Sequence, residues 1–540
     1  MGGLHLYDVL IKNGKLIDGS GNPWFAGDLA IAGDTIAEVG NLKHKSASHV
    51  IDATALVVAP GFIDIHTHSD GPLLVDGLAN SHIRQGVTTN VIGNCGTSLA
   101  PVSKAAVEHL APQRLGDYPG MQWDWLTLRE YLARLRRQRV SVNVAALVGH
   151  GTLRIVAMGF AHRPPTESEL NDMKQLLREA MLEGAYGLSS GLIYTPGSYA
   201  ATDEVADLAR VAAQHGGTYN THIRGENDTL LDAVKEAIYI GETAHIPVQI
   251  AHVKAMGSHM WGKSVEALAM IDDARKRGLD VTGDQYPYDA SATGLGAYLP
   301  AWAHAGGVEE LRKRLSDPET RAKIKHDILH GTEGWVSLHK GVGFDKTMIT
   351  RCGNTEIEGL TVKEIALKWG KDEFDTAFDI LLNWEGKPGR VSIVYTTICD
   401  EDIERIMRHP AIMIGSDSSA ISAEGPLSKG KPHPRSFGTF VRVLGQYARD
   451  KNVLSLEQAV AKMTSLPAQR MQMYDRGLLR PGMKADVTVF DAAAVKDKAT
   501  YTQPFQYPEG IVHVFVNGKH TIKDGNHLGT KSGSVLELNQ

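Results

Sequence analysis

Short runs of apolar, often β-branched residues recur along the middle of the chain, and each one leads into a polar or metal-ligating residue. The first run, 57–65, is apolar at nearly every position, as in a parallel strand that is buried on both faces. Helical patterns lie between most of the runs, for example in 227–244. There are eight runs in all, at 57–65, 87–92, 142–148, 185–188, 217–220, 246–251, 279–283 and 411–415.

Strands that alternate with helices about every 30 residues are typical of a parallel β/α sheet, and eight such units predict a TIM-like (β/α)8 barrel of class α/β. The interval between the seventh and the eighth strand is irregular, because it holds about 120 residues. We predict a lid-like insertion there, at about 295–350. A subdomain over the catalytic face would help to exclude water and to select substrates.

The two ends of the chain carry a different pattern, that of short strands around turns. Residues 7–19 form two alternating runs around the pair Asn13-Gly14, which predicts a hairpin. Residues 485–519 repeat this pattern around Asn517-Gly518. We therefore predict a small β-sandwich built from both chain ends, which divides the chain into a sandwich at 1–60 and 480–540 and a catalytic barrel at 61–479.

Composition and charge exclude several classes of function. The chain is 42% hydrophobic and 22% charged, as in ordinary globular enzymes, and its formal net charge of -6 offers no basic surface for nucleic acid. Only three cysteines occur, so a disulfide framework is excluded and we expect a cytoplasmic protein. We see no signal peptide and no apolar run that is long enough for a membrane span, so we expect no membrane association.

Six residues at the predicted strand ends can bind a metal ion. His66 and His68 lie two apart, so their rings share one face of the first strand. A barrel places its chemistry at the C-terminal ends of its strands, so we expect the six to converge. Imidazoles, a thiolate and a carboxylate are ligands that zinc prefers. The six are His66, His68, Cys95, His222, His252 and Asp417.

Each of these residues also has an ordinary structural interpretation. Of the two strand-end histidines, one could cap the strand while the other is solvated. A buried cysteine is commonly a small hydrophobic residue, which remains our interpretation of Cys352 and Cys399. Asp417 could cap a helix within Ser-Asp-Ser-Ser. Six such residues at matching strand ends favour the metal centre over coincidence.

The same residues lie in motifs that resemble a known family. The run Gly61-Phe-Ile-Asp-Ile-His-Thr-His68 and the closing segment 479–490 resemble the amidohydrolase superfamily. Further motifs resemble, within it, the D-aminoacylase (N-acyl-D-amino-acid deacylase) family, and they span nearly the whole chain except about 302–350. They are Gly93-Asn-Cys-Gly96, Gly149-His-Gly-Thr-Leu-Arg154, Gly187-Leu-Ser-Ser-Gly-Leu-Ile-Tyr194, Thr221-His-Ile-Arg-Gly-Glu226, Ala251-His-Val-Lys254, Asp284-Gln-Tyr-Pro-Tyr-Asp-Ala-Ser291 and Pro432-His-Pro-Arg435.

One local feature supports the narrower resemblance. Many binuclear members of the superfamily carry a bridging, carboxylated lysine at the end of the fourth strand, but 185–192 contains no lysine. In the D-aminoacylase family a cysteine after the second strand takes that place, and Cys95 lies there. A thiolate can bridge two cations, and metal coordination keeps it deprotonated at neutral pH.

The resemblance implies a metal-dependent enzyme that hydrolyses the amide bond of N-acyl-D-amino acids to a D-amino acid and a carboxylate. It implies that Cys95, His222 and His252 hold a tight zinc ion (Zn2+). A second, weaker site would combine His66, His68 and Asp417 with Cys95 shared. Asp417 would also act as general base and then general acid.

A substrate of this kind carries an α-carboxylate, which calls for a cation and hydrogen-bond donors. The candidates are Lys254, on the same strand face as His252, and Arg435, with the Tyr286 hydroxyl as a donor. Weaker candidates are Tyr194, Ser291, Arg224 and His150.

Two other interpretations remain open at this stage. A hydantoinase-like or dihydroorotase-like enzyme that opens a cyclic amide would share the barrel and the His-x-His pair, but the missing strand-four lysine counts against it. A non-catalytic scaffold would have lost metal ligands, whereas all six are present here. The side-chain preference leans toward apolar D-residues, because 284–307 contains no Arg or Lys. The insertion could still supply a cation through Arg312, Lys313 or Arg314.

Overall fold

Strands from both chain ends form one sheet in the computed structural model, which describes residues 7–332, 335–384 and 390–538. The N-terminal strand β5 (Val57–Pro60) pairs antiparallel with the C-terminal strand β18 (Val487–Phe490). Leu16, Val58, Val487 and Phe515 are fully buried in a core that the two ends share. The nine strands are β1 (Tyr7–Leu16), β2 (Phe25–Ala32), β3 (Thr35–Gly40), β4 (Ala47–Asp52), β5 (Val57–Pro60), β18 (Val487–Phe490), β19 (Ile511–Val516), β20 (Lys519–Lys523) and β21 (Asn526–His527).

Each of the eight apolar runs supplies a strand of a parallel barrel. These strands are β6 (Phe62–Asp64), β7 (Val87–Ile92), β8 (Asn143–Ala146) with β9 (Val148–Gly149), β10 (Gly187–Gly191), β11 (Thr218–His222), β12 (Val248–Ile250), β13 (Val281–Gln285) and β17 (Ile412–Ile414). β8 and β9 flank Leu147 and together form the third barrel strand, and all the pairings between neighbours are parallel. The predicted (β/α)8 class is confirmed.

The barrel closes where its first and last strands end. The Asp417 amide donates a hydrogen bond to the His66 carbonyl at 2.8 Å, and the His68 amide donates to the Ser418 carbonyl at 2.8 Å. These bonds continue the β6 and β17 directions beyond the strands themselves. The closure therefore brings three of the six predicted ligands to one point of the barrel mouth.

Helices surround the barrel and bury their apolar faces against it. In α7 (Thr202–Gln214), for example, Val205, Leu208 and Ala212 are fully buried, and each Val or Leu buried in this way stabilises the fold by about 1.5–3 kcal/mol. The helices are α1 (Pro72–Val75), α2 (Asn80–Ile83), α3 (Lys104–Asp117), α4 (Leu128–Gln138), α5 (His150–Met158), α6 (Glu167–Leu182), α7 (Thr202–Gln214), α8 (Leu230–Ala244), α9 (Ser264–Lys276), α15 (Asp400–Arg408), α16 (Arg435–Arg442), α17 (Leu456–Met463) and α18 (Ser465–Arg470), with a π-helix at Val443–Asp450. Among the described residues, no helix is long and apolar enough to cross a bilayer.

The insertion between β13 and β17 is a subdomain with its own core. Three of its segments, 290–294, 347–351 and 392–396, form an antiparallel sheet with the last of them in the centre, and Tyr298, Phe344 and Phe378 lie buried in the core. Its elements are β14 (Ala290–Gly294), α10 (Val308–Ser316), α11 (Pro318–His330), α12 (Leu338–Gly341), β15 (Thr347–Arg351), α13 (Val362–Trp369), α14 (Glu373–Trp384) and β16 (Ser392–Thr396). Because Ala290 pairs with Thr396, the subdomain extends beyond the predicted 295–350 at both ends.

The hairpin prediction at Asn13-Gly14 is wrong, because one strand, β1, runs through this pair. The pairing of β1 with β2 shifts between Ile11 and Gly14, which marks a bulge at Asn13, whose φ is 61°. The Asn13 amide, which the bulge takes out of the strand ladder, donates to the Asp28 carboxylate at 2.8 Å. Asn517-Gly518 does form the two-residue turn between β19 and β20, with positive φ at both residues.

Candidate active site and metal centre

The structure brings the six predicted ligands together at the barrel mouth, in two groups. The cysteine group consists of Cys95, His222 and His252. Cys95 Sγ lies 3.7 Å from His222 Nδ1 and 3.8 Å from His252 Nε2. All three residues are more than nine-tenths buried.

The spacing of the cysteine group fits a zinc ion. With Zn–S bonds of about 2.3 Å and Zn–N bonds of about 2.0–2.1 Å, a tetrahedral site separates the sulfur and a nitrogen by about 3.6 Å. The two observed Sγ–N separations of 3.7 and 3.8 Å are close to that value. Each ring nitrogen therefore lies at the distance from the sulfur that a shared zinc ion would give.

The aspartate group consists of His66, His68 and Asp417. Asp417 Oδ1 lies 3.4 Å from His66 Nε2 and 3.0 Å from His68 Nε2. His66 Nε2 also lies 3.2 Å from Cys95 Sγ, so the two groups meet at the cysteine. Four ligand atoms, from His66, Cys95, His252 and Asp417, lie within 4.8 Å of one another.

Three of the predicted ligands have a backbone conformation that is unusual for residues other than glycine. Cys95, His252 and Asp417 follow β7, β12 and β17 with φ values of 52°, 34° and 50°. Non-glycine residues with positive φ cost energy and concentrate at functional sites. Here the turn directs each side chain into the barrel mouth just beyond the strand end.

The Gly93-Asn-Cys-Gly96 motif is explained by the same turn. Gly93 and Gly96 have φ values of 78° and 73°. A Cβ atom on Gly93 would lie 2.1 Å from the Leu147 carbonyl oxygen, and one on Gly96 would lie 2.6 Å from the Gly191 amide nitrogen. Both positions therefore require glycine to place Cys95 against the neighbouring strands.

Electrostatics favour the thiolate form of Cys95. Burial alone would raise the pKa of its thiol, but the charge of His66 and the hydrogen bonds of His222 and His252 hold this pKa well below its usual value. By contrast, burial raises the pKa of Cys352 and of Cys399 to about 11. Of the three cysteines, Cys95 is thus the one whose surroundings favour the metal-binding thiolate form.

Two buried carboxylates that were not predicted as site residues lie behind the predicted ligands. Asp284 lies 3.2 Å from His66 Nδ1 and accepts a hydrogen bond from the His252 amide at 2.9 Å. Glu226 lies 2.9 Å from His252 Nδ1. Both belong to motifs that resemble the D-aminoacylase family. Their spacing along the sequence could not predict that they lie buried behind imidazoles.

Asp417 contacts a cation on its other side. Its Oδ2 lies 2.8 Å from an Arg435 nitrogen. Burial would raise the pKa of Asp417, but the charges of Arg435, His252 and His66 hold this pKa well below its usual value. The carboxylate is therefore ionised at neutral pH and can accept a proton.

Three of the predicted substrate-binding residues, Arg435, Ser291 and Lys254, lie around a fourth, Tyr286. The Arg435 guanidinium lies 4.7 Å from the centre of the Tyr286 ring, and the Tyr286 hydroxyl lies 2.7 Å from that of Ser291. The Tyr194 hydroxyl accepts a hydrogen bond from Thr293 at 3.1 Å. Lys254 is 3% exposed, and its ammonium contacts Glu226 and His252 Nδ1.

Arg224 and His150, two of the four weaker candidates, have other partners. Arg224 pairs with Glu236 at 2.8 Å and donates to the Ala200 carbonyl. His150 lies 2.8 Å from Glu204, which also pairs with Arg154. These contacts give both residues a structural role in supporting the loops around the site.

A cavity of about 470 Å³ opens above the ligands and is lined by His68, Cys95, Tyr194, Asp417 and Arg435 among others. The subdomain contributes much of its wall. Apolar lining residues are Phe160, Ile193, Leu299, Leu311 and Trp335.

The cations that line this cavity are not Arg312, Lys313 or Arg314, the three that the sequence offered. Arg351, Arg390 and Lys429 line it, and Arg351 pairs with Asp117 at 3.3 Å. Arg314 instead donates to the Ala303 carbonyl at 3.0 Å, and Lys313 pairs with Glu310 at 2.6 Å.

Known proteins are similar to this chain in both sequence and fold. Residues 49–525 match the amidohydrolase family model Amidohydro_3. A D-aminoacylase of Alcaligenes xylosoxydans xylosoxydans is 37% identical over 98% of this chain and 97% of its own. An N-acyl-D-glutamate deacylase of the same organism is 37% identical over 95% of this chain and 93% of its own.

Solved structures give the same result. A D-aminoacylase studied for its binuclear metal centre superposes with a TM-score of 0.82 at 36% identity, over 98% of this chain and 100% of its own. An N-acyl-D-glutamate deacylase of Bordetella bronchiseptica, complexed with zinc and a phosphonate inhibitor, gives a TM-score of 0.81 at 35% identity, over 98% and 99%.

The barrel, the ligands at its strand ends and these matches define the class: the chain is a metal-dependent amidohydrolase. This sets aside the non-catalytic scaffold. Within that class, the chain belongs to the D-aminoacylase (N-acyl-D-amino-acid deacylase) family of the amidohydrolase superfamily, as the sequence motifs indicated.

Proposed function

We propose that the chain hydrolyses N-acyl-D-amino acids to a free D-amino acid and a carboxylate, with zinc as its metal. The observation that carries this proposal is the cysteine group, whose thiolate and two imidazoles are spaced for zinc directly below a cavity that also holds the base Asp417. The similarity to D-aminoacylases over nearly the whole chain supports the substrate class.

The proposed metal content is one tight zinc and a weaker second ion. Cys95, His222 and His252 would hold the tight ion, because these ligands are buried and a soft thiolate favours zinc. His66, His68 and Asp417, with Cys95 shared, would hold the second. When bound, zinc would polarise the amide carbonyl and lower the pKa of a water molecule toward ~7.

Asp417 is the proposed general base and general acid. It lines the cavity and has one oxygen facing the metal ligands while Arg435 contacts the other. Asp417 would accept the proton of the attacking water and then deliver it to the amine nitrogen as the carbon–nitrogen bond breaks. The amine leaves as a neutral group, so that the proton balance closes.

Arg435, Tyr286 and Lys254 are the proposed recognition site for the α-carboxylate. Arg435 lines the cavity, and both cations lie over the same tyrosine ring, Lys254 at 5.7 Å from its centre. Tyr194 and Ser291 would complete the polar wall through their hydroxyls. With the carbonyl and the carboxylate both fixed, only one enantiomer can direct its side chain into the remaining space.

We propose that this remaining space takes an apolar D-side chain. Phe160, Ile193, Leu299, Leu311 and Trp335 line it. The charge of Arg351 is balanced by Asp117, so it does not by itself call for an acidic substrate. The cavity volume of about 470 Å³ accommodates a substrate the size of N-acetyl-D-methionine or N-acetyl-D-phenylalanine.

A panel of N-acetyl-amino acids tests this function. We expect turnover of the D-leucine, D-methionine and D-phenylalanine derivatives, weaker turnover of the D-glutamate and D-aspartate derivatives, and none of the L-enantiomers. Comparable turnover of L- and D-forms would contradict the proposal, and so would preferential opening of a hydantoin or dihydroorotate ring. Preference for the acidic D-derivatives would overturn only the side-chain assignment.

A further inference from the structure

Glu226 lies four residues after the end of β11 and stands behind the cysteine group. Its Oε1 is 2.9 Å from His252 Nδ1 and 3.9 Å from His222 Nε2. These are the ring nitrogens that do not face Cys95. One carboxylate, 4% exposed, therefore faces the outer nitrogens of both histidines.

Metal binding imposes a requirement on such an outer nitrogen. A histidine that binds a cation through one nitrogen keeps its proton on the other, and that proton needs an acceptor. In His252 the nitrogen facing Cys95 is Nε2, so the proton belongs on Nδ1.

Two groups compete for His252 Nδ1. Glu226 can accept its proton, whereas the Lys254 ammonium, 2.8 Å away, carries only donors. A histidine that faced Lys254 alone would accept at Nδ1 and carry its proton on Nε2, the atom needed for the metal. Glu226 also forms an ion pair with Lys254, so the same carboxylate contacts both the ammonium and the histidine ring.

We infer that Glu226 is a positioning residue of the metal centre, which accepts the Nδ1 proton of His252 against Lys254 and so keeps Nε2 free for the cation. Glu226 also lies 3.9 Å from His222 Nε2, which has no hydrogen-bond partner among the described residues. This inference rests on the proposed zinc site in the cysteine group.

Substitution of Glu226 would have a different effect if the Glu226–Lys254 ion pair were purely structural. If Glu226 served only to neutralise Lys254, its loss would lower thermal stability without acting on one metal site in particular. In a positioning role, loss of Glu226 weakens the metal in the cysteine group, and additional removal of Lys254 restores it, because the competing donor is then gone.

The test measures zinc affinity by chelator competition on the metal-free, full-length protein. Glu226→Ala should weaken the tight site by about 10- to 100-fold. The double variant Glu226→Ala/Lys254→Met should recover most of that loss, and the weaker site should be unchanged in both. Glu204→Gln is the matched control, because Glu204 is equally buried, pairs with a histidine and an arginine, and should retain the affinity of the wild type.

Two results would overturn the inference: a Glu226→Ala protein with wild-type affinity, or a double variant no better than the single one. If circular dichroism shows that Glu226→Ala does not fold, Lys254→Met alone decides. It should bind zinc at least as tightly as the wild type, and a tenfold weakening would refute the role of Glu226. A wild-type protein that binds no zinc would refute the proposed function instead.

Discussion

The cysteine group and the aspartate group share one barrel mouth, but their surroundings differ. Every ligand of the cysteine group is more than nine-tenths buried, and Glu226 stands behind it. In the aspartate group the His68 side chain is 34% exposed, and Asp417 also contacts Arg435. His68 is thus the one partly exposed member of the two groups, and this difference agrees with the proposal that the cysteine group retains a cation while Asp417 serves in proton transfer at the cavity.

Loss of the shared ligand should have the largest effect. Cys95→Ala removes the thiolate that joins both groups, so we expect the tight zinc to be lost and hydrolysis to fall to background while the barrel stays folded. Metal analysis and circular dichroism check this outcome. Cys352→Ala and Cys399→Ala are the controls and should keep metal and activity; a full zinc complement in Cys95→Ala would refute the bridging thiolate.

The next prediction separates chemistry from metal retention. Asp417→Asn keeps the shape of the side chain but removes the base, so kcat should fall by ~10²- to 10⁴-fold, the usual scale for general acid–base catalysis. Zinc content should remain at one per chain. Loss of the tight zinc from this variant would show that the two groups are not separable in the way proposed.

The third largest effect should come from loss of the residue that is proposed to bind the α-carboxylate. Arg435→Ala should lower kcat/KM for N-acyl-D-amino acids by ~10²-fold, because a charge-assisted contact contributes roughly 1.5–3 kcal/mol or somewhat more when desolvated. The same change should do little to an analogue whose α-carboxylate is replaced by a neutral amide. Equal losses on both substrates would mean that Arg435 acts only through its contact with Asp417.

The smallest effect should come from the carboxylate behind the aspartate group. Asp284 orients His66 through Nδ1, so Asp284→Asn should weaken the second metal site by about 10-fold. The tight site should change much less, because its ring nitrogens are served by Glu226. Chelator titration resolves the two affinities, and an equal loss at both sites would break the distinction between the groups.

Local patterns in the sequence were sufficient to predict the barrel and the convergence of the six candidate ligands at its mouth. Cys95 and His252 could be proposed because each follows an apolar strand, and the barrel rule places such positions together. The sequence could not reveal that Glu226 lies behind His252, since that contact depends on how the loop after β11 folds back. Long-range pairing was hidden as well: β14 and β16 pair although about 100 residues separate them.

The two Asn-Gly pairs show the same limit within one sheet. Asn517-Gly518 forms the predicted two-residue turn, whereas Asn13-Gly14 forms a bulge within a continuous strand. At the bulge, Asp28 accepts the displaced amide of Asn13, and a Cβ on Gly14 would lie 2.7 Å from Val58. Whether an Asn-Gly pair forms a turn or a bulge is therefore decided by partners that are distant in sequence, and the dipeptide alone does not predict it.

A zinc titration of the metal-free protein tests the central claim most directly, with the rate of N-acetyl-D-methionine hydrolysis measured at each addition. We expect no activity without metal and a rise to the maximal rate at one zinc per chain, since the cysteine group fills first. Full activity in the stripped protein, or a rate that rises only as a second zinc binds, would contradict it.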